Sequence, residues 1–469
     1  MDNQLKRKYG LFTAICMVVG IVIGSGVFFK AQTILEKTGG DMPMGILSWI
    51  IGGAIMLVCL LTFSIMGQKY ERVNGIVDYA EATVGKRYGY YMGWFATTIY
   101  YPAMTSALAW LSARYTLVFL TSVNPDFPMS IPAAQGGCVF GPECMVLSLF
   151  YLCMAYAMNA LSPKLAGKFQ TSTTVIKLIP LCLMAVVGII YGVANGTLQQ
   201  NIVTKAPVAE TAASPLFAGV CATAFAYEGW IIATAINSEL KDSKKNLPKA
   251  LTLGGIIIVA VYIAYFVGVA GGATNEVLIK DGAQVAFINI FGGVLGNILN
   301  LFIAISCMGT LNGLMLGCCR GMYSIAVRGN GPSSKMFAHV DEKTDMPNNS
   351  SVLALVVTAA WFLYFYVANL YLPSIAGVTG KPFMFDSTEL PIITIYLMYL
   401  PIFFQWMRKE KDQGVARRFV MPILASCGSV FMVIACIFSH RMANVWYLIV
   451  FAVVMFLGWL LDDSRKKKA

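Results

Sequence analysis

Charged residues are scarce in this chain, since Asp, Glu, Lys and Arg make up only 12% of its 469 residues. A soluble globular protein carries about 25%. Hydrophobic residues account for 58%, a share that predicts a protein crossing a membrane many times. The longest polar connections, 68–90 and 327–349, are too short to form a separate soluble domain.

Histidine is rarer still, with only His339 and His440, both of which we expect in loops. No Cys/His spacing resembles a metal site, so we expect no metal and no cofactor. The apolar stretches hold no Ser/His/Asp cluster and no carboxylate pair, so we expect no catalytic residues and no enzymatic activity.

Cysteine is not scarce, but ten of the twelve cysteines fall within apolar stretches, where a thiol behaves as a small apolar residue. Cys138 and Cys144 lie in or beside a predicted outer loop. A local disulfide and two separate thiols are equally compatible with that position.

Apolar windows predict an all-α polytopic membrane protein with twelve transmembrane helices. The first window lacks a cleavage site of small residues and is long enough to span, so we interpret it as an uncleaved helix. The predicted spans are 11–36, 43–67, 91–120, 144–161, 169–194, 214–240, 249–272, 294–326, 350–370, 386–407, 418–438 and 443–461.

Basic residues indicate the orientation, because they concentrate on the cytoplasmic side of membrane proteins. With both termini cytoplasmic, most of the 34 Lys and Arg residues fall in cytoplasmic segments. We therefore expect a multi-pass protein of the cell (plasma) membrane. The same bias accounts for the net charge of +11 without a nucleic-acid partner. The outer segments hold only Lys30, Lys37, Lys205, Lys280, Lys381 and Arg441.

The first span contains a cluster of helix-weakening residues near its middle: Gly20, Gly24, Ser25 and Gly26. Each interior glycine costs a helix about 1 kcal/mol relative to alanine. Unwound backbone at this depth is tolerated where it lines a cavity, and the amides that begin the second half-helix would then face an anionic ligand. The alternative is that Gly20 and Gly24 form a GxxxG helix-packing face.

A second interrupted span is predicted at Pro215–Leu240, where Ala226, Tyr227, Glu228 and Gly229 occupy the middle. A carboxylate at a helix centre costs about 2.5–3.5 kcal/mol on insertion scales. The alternative is an ordinary span that tolerates one glycine. Two interrupted spans, each opening a run of five, predict an inverted-repeat transporter with its binding site between them.

Four blocks of sequence carry a resemblance to a known family. They are VGIVIGSGVF (19–28), NGIVDYAEATVGKRYGYYMGW (74–94), AFAYEGW with NSELKDSKKNLPKA (224–250), and SCMGTLNGLMLGCCRGMYSIAVRGNGP (306–332). As a set they resemble the L-type amino-acid transporter family, of bacterial type, within the amino acid–polyamine–organocation superfamily.

This resemblance implies a LeuT-like fold, a 5+5 inverted repeat in which helices 1 and 6 are broken. Residues 1–408 would form the transport core, with spans 1–5 at about 11–194 and spans 6–10 at about 214–407. Residues 409–469 would supply two extra helices and a short basic tail.

The resemblance also implies how an amino acid is held. Its carboxylate would take N–H groups of Gly24, Ser25 and Gly26, and its ammonium would meet carbonyl groups next to both breaks. Phe225 would cover the site as a gate, although its spacing alone favours a core aromatic. The other predicted substrate-binding residues are Val22, Ala226, Tyr227, Glu228 and Gly229.

Lys177 lies about 14 Å along a helix from Lys168, too deep for its ammonium to reach the membrane surface. In the family, a lysine in the matching motif takes the place of a sodium ion. Here that position would be next to the backbone from Gly20 to Gly24 and to Ser306 or Thr310. The alternative is a structural ion pair with Glu228.

We therefore expect a sodium-independent transporter that exchanges neutral L-amino acids by alternating access. An antiporter of cationic amino acids or polyamines is the alternative, since Glu228 could attract a second positive charge. A receptor or an enzyme is disfavoured by the two broken spans. The expected partners are the bilayer and the amino-acid substrate, and we expect no heavy subunit because a long N-terminal extension is lacking.

Overall fold

The computed structural model describes residues 7, 9–24, 26–70, 74–207, 214–440 and 442–462. This part of the chain is a helical bundle in which isolated bridges are the only β-structure. Eleven helical segments in it are long and apolar enough to cross a membrane. The first predicted span consists of two shorter helices. The predicted all-α polytopic fold is confirmed.

The helices are numbered along the chain. They are α1 (Leu11–Val22), α2 (Gly26–Lys37), α3 (Met42–Gly67), α4 (Lys86–Val123), α5 (Gly137–Leu161), α6 (Pro163–Ala194), α7 (Pro215–Ala226), α8 (Ser243–Gly272), α9 (Gly293–Ala326), α10 (Asn348–Ser374), α11 (Leu390–Lys409), α12 (Met421–His440) and α13 (Ala443–Leu461). A 3₁₀ helix, Trp230–Glu239, follows α7. Short helices join the long ones at Gly75–Thr83, Thr197–Val203, Asn275–Asp281, Ala283–Phe291 and Ser334–Phe337.

Most predicted spans agree with the helices within a few residues, but α4, α6 and α8 begin five or six residues, and α5 seven residues, earlier than their apolar windows. The turns added to α4, α6 and α8 are polar, with Lys86 and Lys164 among them. A helix continues through such residues because Lys has good helix propensity, whereas a hydropathy window ends at them. His440, which we expected in a loop, is the last residue of α12. Cys138 and Cys144 are buried thiols without a disulfide.

Contacts between loops place them at two opposite ends of the bundle. At one end, Gly40 accepts hydrogen bonds from the backbone N–H of Ala206 at 3.2 Å and from Nδ2 of Asn275 at 3.3 Å. At the other end, the backbone N–H of Tyr9 donates to the Glu239 carbonyl at 3.1 Å. These ends match the two sides of the predicted topology, and α1 with α2 and α7 with the 3₁₀ helix run between them.

Candidate functional site

The first broken span opens between α1 and α2. Helix α1 ends at Val22, Ile23 is extended with φ −72° and ψ 90°, and α2 begins at Gly26. Ser25, a predicted substrate residue, lies outside the described residues. The first amides of α2 have no partner within the helix and carry the positive end of its dipole. Because Gly24 and Gly26 line the central cavity, this end of α2 faces it.

The second broken span opens after Ala226, where α7 ends. Gly229 has φ +103°, in the left-handed region that favours glycine, and the 3₁₀ helix follows directly. Glu228 therefore sits between two helical segments rather than within one. The predicted breaks in spans one and six are both confirmed.

The two breaks enclose a cavity of about 20 Å³, room for about one water molecule. It brings together most of the residues predicted from the sequence and adds apolar walls from α4 and α9. Its lining consists of Ile21, Val22, Gly24, Gly26, Met104, Leu108, Phe225, Glu228, Gly229, Thr310 and Leu314.

Tyr262 on α8 joins the two breaks and was not anticipated from the sequence. Its Oη lies 3.0 Å from the carbonyl oxygens of both Val22 and Ala226. Both carbonyl oxygens accept from the single hydroxyl group of Tyr262, which therefore holds them next to each other. A tyrosine in an apolar span gives no local signal of this role.

Glu228 is buried, and only one of its two carboxylate oxygens is hydrogen-bonded. The hydroxyl of Tyr100 donates to Oε1, while Oε2 accepts no hydrogen bond within the described residues. A buried carboxylate oxygen without a donor is costly. Because Glu228 lines the cavity, its Oε2 can accept a hydrogen bond from a donor group of a bound ligand.

Tyr227, another predicted substrate residue, points its side chain elsewhere. Its hydroxyl donates to the Trp49 carbonyl at 3.0 Å, and its ring packs edge-on against the Trp49 ring at 5.5 Å. Tyr227 is absent from the residues that line the cavity. Ala226 likewise contributes its backbone, through the carbonyl held by Tyr262.

Lys177 is completely buried on α6, and its ammonium contacts the residues anticipated from the sequence. Nζ donates to the carbonyls of Gly20 at 2.8 Å and Ser306 at 3.0 Å, and lies 3.4 Å from Thr310 Oγ1. It also donates to the Ile23 carbonyl at 2.5 Å, within the Gly20–Gly24 backbone. No ion pair joins Lys177 to Glu228 in the described part of the chain. The structural ion pair considered as the alternative role of Lys177 is therefore not formed.

A vestibule of about 520 Å³ lies at one end of the bundle. Phe225 lines both the vestibule and the central cavity and is itself 8% exposed. The ammonium of Lys30 lies 5.6 Å from its ring centroid, within the range of a cation–π contact. The Phe225 ring therefore separates the cavity from the vestibule. Arg114 also faces the vestibule, with its guanidinium 5.3 Å from the Trp110 ring.

The opposite end of the bundle is closed by a buried ion pair. Arg320 on α9 donates to both carboxylate oxygens of Glu239, with Nη2 2.8 Å from Oε2, and neither side chain is exposed. The backbone of Tyr9 pairs with the segment that carries Glu239: its N–H donates to the Glu239 carbonyl at 3.1 Å, and its carbonyl accepts from the Lys241 N–H at 2.9 Å. The Phe225 ring thus lies between the cavity and the vestibule, whereas this ion pair closes the opposite end.

We predict that Gly26→Ala weakens amino-acid binding, because a Cβ at this position would lie 2.8 Å from Cα and 3.2 Å from Cβ of Ala226. Because the Cα atom of Ala226 belongs to the backbone and cannot rotate away, α2 and α7 must separate. Overpacking of this kind costs about 1–3 kcal/mol, or about 5- to 150-fold in Kd. Binding to purified protein measures it, with Gly293→Ala, which meets nothing within 4 Å, as the control. Wild-type affinity in Gly26→Ala would contradict the placement of the site.

Two broken helices that meet at a central cavity, within a bundle of membrane helices, define a transporter of LeuT-like architecture. The chain is similar in fold to the crystal structure of MhsT in complex with L-phenylalanine, with TM-score 0.58 and 11% identity over 96% of this chain and 99% of that one. The amino acid permease family matches residues 9–460. The chain belongs to this family, whose members are transporters and not enzymes.

Curated relatives extend the likeness. The serine/threonine exchanger SteT of Bacillus subtilis (strain 168) is 29% identical over 454 residues, 94% of each chain. The Asc-type amino acid transporter 1 of Mus musculus is 26% identical over 353 residues, covering 73% of this chain and 62% of that protein. The human large neutral amino acids transporter small subunit 2 is 27% identical over 376 residues, 77% of this chain and 66% of its own length. In the last two the matched region is therefore less than two thirds of the relative.

Proposed function

We propose that this chain exchanges small neutral L-amino acids across the cell membrane without sodium. The observation that carries the proposal is the cavity between the two breaks, with amide donors on one side and carbonyl acceptors on the other. Such a pair of surfaces fits the carboxylate and the ammonium that every amino acid shares. SteT, which is named as a serine/threonine exchanger and matches along 94% of both chains, supports the same class of substrate.

The substrate carboxylate binds the backbone amides of Gly24 and Gly26 at the start of α2, where the helix dipole favours a negative charge. Its ammonium binds the carbonyls of Val22 and Ala226, which Tyr262 holds side by side.

Glu228 supplies the further acceptor, Oε2. Neutral side chains are favoured because Met104, Leu108 and Leu314 supply apolar walls.

Lys177 supports sodium independence. Its ammonium is held by two carbonyls at the end of α1, one carbonyl of α9 and the Thr310 hydroxyl. Unwound carbonyls of this kind coordinate sodium in related broken-helix transporters. A fixed positive charge there replaces the ion and joins α1 to α9. It also disfavours a dicationic substrate in the neighbouring cavity.

Phe225 acts as the gate on the vestibule side, which positive-inside orientation makes the outer side. Phe225→Ala should raise the exchange KM while leaving thermal stability near that of the wild type, because the ring faces two cavities. A core aromatic would instead lose about 3–5 kcal/mol of stability.

Residues 1–408 form the transport core in this proposal, and 409–469 an accessory pair of helices. Helix α12 rests on the core, with the Phe431 ring stacked on Phe217 of α7 at 4.9 Å. Orientation predicts that both termini are cytoplasmic, so a protease should reach an N-terminal tag in cells only after permeabilisation.

The test is uptake of labelled serine into liposomes that contain only this purified chain. We expect uptake only when the liposomes are preloaded with a neutral amino acid, competition by small neutral amino acids but not by lysine, putrescine or glutamate, and equal rates in sodium and choline. Transport by the chain alone would also show that no second subunit is required. Sodium-dependent uptake, or preferred inhibition by lysine, would refute the proposal.

A further inference from the structure

Three side chains from distant parts of the sequence converge beside the vestibule. They are Cys221 on α7, Glu389 at the start of α11 and His440 at the end of α12. Their ligand atoms, one from each residue, all lie within 4.8 Å of one another. Local sequence spacing could not reveal this cluster, which is why no metal site was expected. The amino-acid site proposed above uses none of the three.

A thiolate, a carboxylate and an imidazole are the ligands that zinc takes in proteins. Bond lengths of about 2.0–2.3 Å around a tetrahedral ion put neighbouring ligand atoms about 3.3–3.7 Å apart. The three side chains must therefore close by about an ångström. Three protein ligands leave a fourth position for water. Glu389 lines the vestibule, which gives the ion a route in.

The existing contacts of Glu389 leave room for such an ion. Lys30 Nζ lies 2.6 Å from Oε1, whereas His440 Nε2 lies 3.0 Å from the other oxygen, Oε2. A metal between Oε2 and Nε2 would replace the second contact and leave the Lys30 ion pair in place. The Cys221 thiol loses its proton on binding, so thiolate and carboxylate balance the charge of the ion. The nearby Lys30 ammonium opposes it and keeps binding reversible.

We propose that a zinc ion entering from the vestibule binds Cys221, Glu389 and His440 and inhibits transport by tying α7 to α11 and α12. Cys221 lies one helical turn before Phe225 on α7. Fixing Cys221 therefore fixes the segment that carries the gate. Binding itself does not depend on the proposed function, whereas inhibition rests on it.

Cobalt titration of the purified chain tests binding, because a cobalt–thiolate bond gives a near-ultraviolet charge-transfer band, and zinc displaces the cobalt. We expect the band in the wild type and its loss in Cys221→Ala. Zinc affinity should fall by about tenfold or more in both Cys221→Ala and His440→Ala, because even the loss of a residue that only orients a metal ligand lowers metal affinity by about 10- to 100-fold. The controls are Cys182→Ala, an exposed cysteine, and His339→Ala, the only other histidine. Both should bind zinc as the wild type does.

No thiolate band in the wild type, or equal zinc affinity in His440→Ala and wild type, would overturn the site. If Cys221→Ala is not recovered as folded protein, the cobalt–thiolate band of the wild type and the zinc affinity of His440→Ala still decide whether the site exists.

In liposomes, external zinc should lower wild-type exchange, EDTA should restore it, and exchange by His440→Ala should resist zinc. Binding without any effect on exchange would refute the inhibition. A wild type that exchanges nothing would refute the transport proposal and leave the binding result standing.

Discussion

Lys177→Ala is expected to lower amino-acid exchange by about tenfold or more. Its ammonium holds the carbonyls of Gly20 and Ile23 at the end of α1 and of Ser306 on α9. Without it, these buried acceptors lose a donor, at about 1–3 kcal/mol each, and 1.4 kcal/mol already corresponds to tenfold in an equilibrium constant. Exchange in liposomes measures the loss. Lys168→Ala, an exposed lysine on the same helix, is the matched control and should behave as the wild type.

Sodium distinguishes an ion-replacing lysine from a purely structural one. In Lys177→Ala the same carbonyls surround the space left by the ammonium, and such carbonyls coordinate sodium in broken-helix transporters. Sodium chloride should therefore raise the melting temperature of this variant above its value in choline chloride, and leave the wild type unchanged. If Lys177→Ala exchanged amino acids at the wild-type rate, the charge of Lys177 would be dispensable for transport.

The sequence is sufficient to predict the spans and the two breaks because both depend on local properties. Glycines and a carboxylate within an apolar run are costly in any helix, so Gly24, Gly26 and Glu228 indicate the breaks without knowledge of their neighbours. The depth of Lys177 follows from helix rise alone. Its partners Gly20, Ser306 and Thr310 came from the family resemblance, and the structure places its ammonium on all three.

Contacts between distant segments could not be predicted in this way. Tyr100 and Tyr262 are two of 22 tyrosines, and nothing in their local sequence indicates that one donates to Glu228 and the other to two carbonyls. The same limit explains Tyr227, which lies at a break but turns its ring toward Trp49. Side-chain direction at an unwound residue depends on tertiary packing, which periodicity does not encode.

Arg320→Met is expected to destabilise the protein by about 3–5 kcal/mol, because it leaves the Glu239 carboxylate buried without its partner. Thermal or denaturant unfolding of the purified protein measures the change. Lys69→Met is the matched control at the same end of the bundle. Lys69 pairs with the buried Glu410, but the Lys69 side chain is 41% exposed and Glu410 keeps a hydrogen bond from Tyr70 at 2.9 Å. Lys69→Met should therefore cost much less stability than Arg320→Met.

The double variant Arg320→Met, Glu239→Gln separates structure from gating. Removing both charges is often nearly neutral for stability, so most of the lost stability should return. Exchange should stay impaired if the pair closes the end of the bundle opposite the vestibule, because alternating access requires each end to close in turn. The Tyr9 backbone, which bonds to Glu239 and Lys241, gives the same expectation, since this segment must move when that end opens. A double variant that regains both stability and exchange would show that the ion pair is structural and that closure of this end does not depend on it.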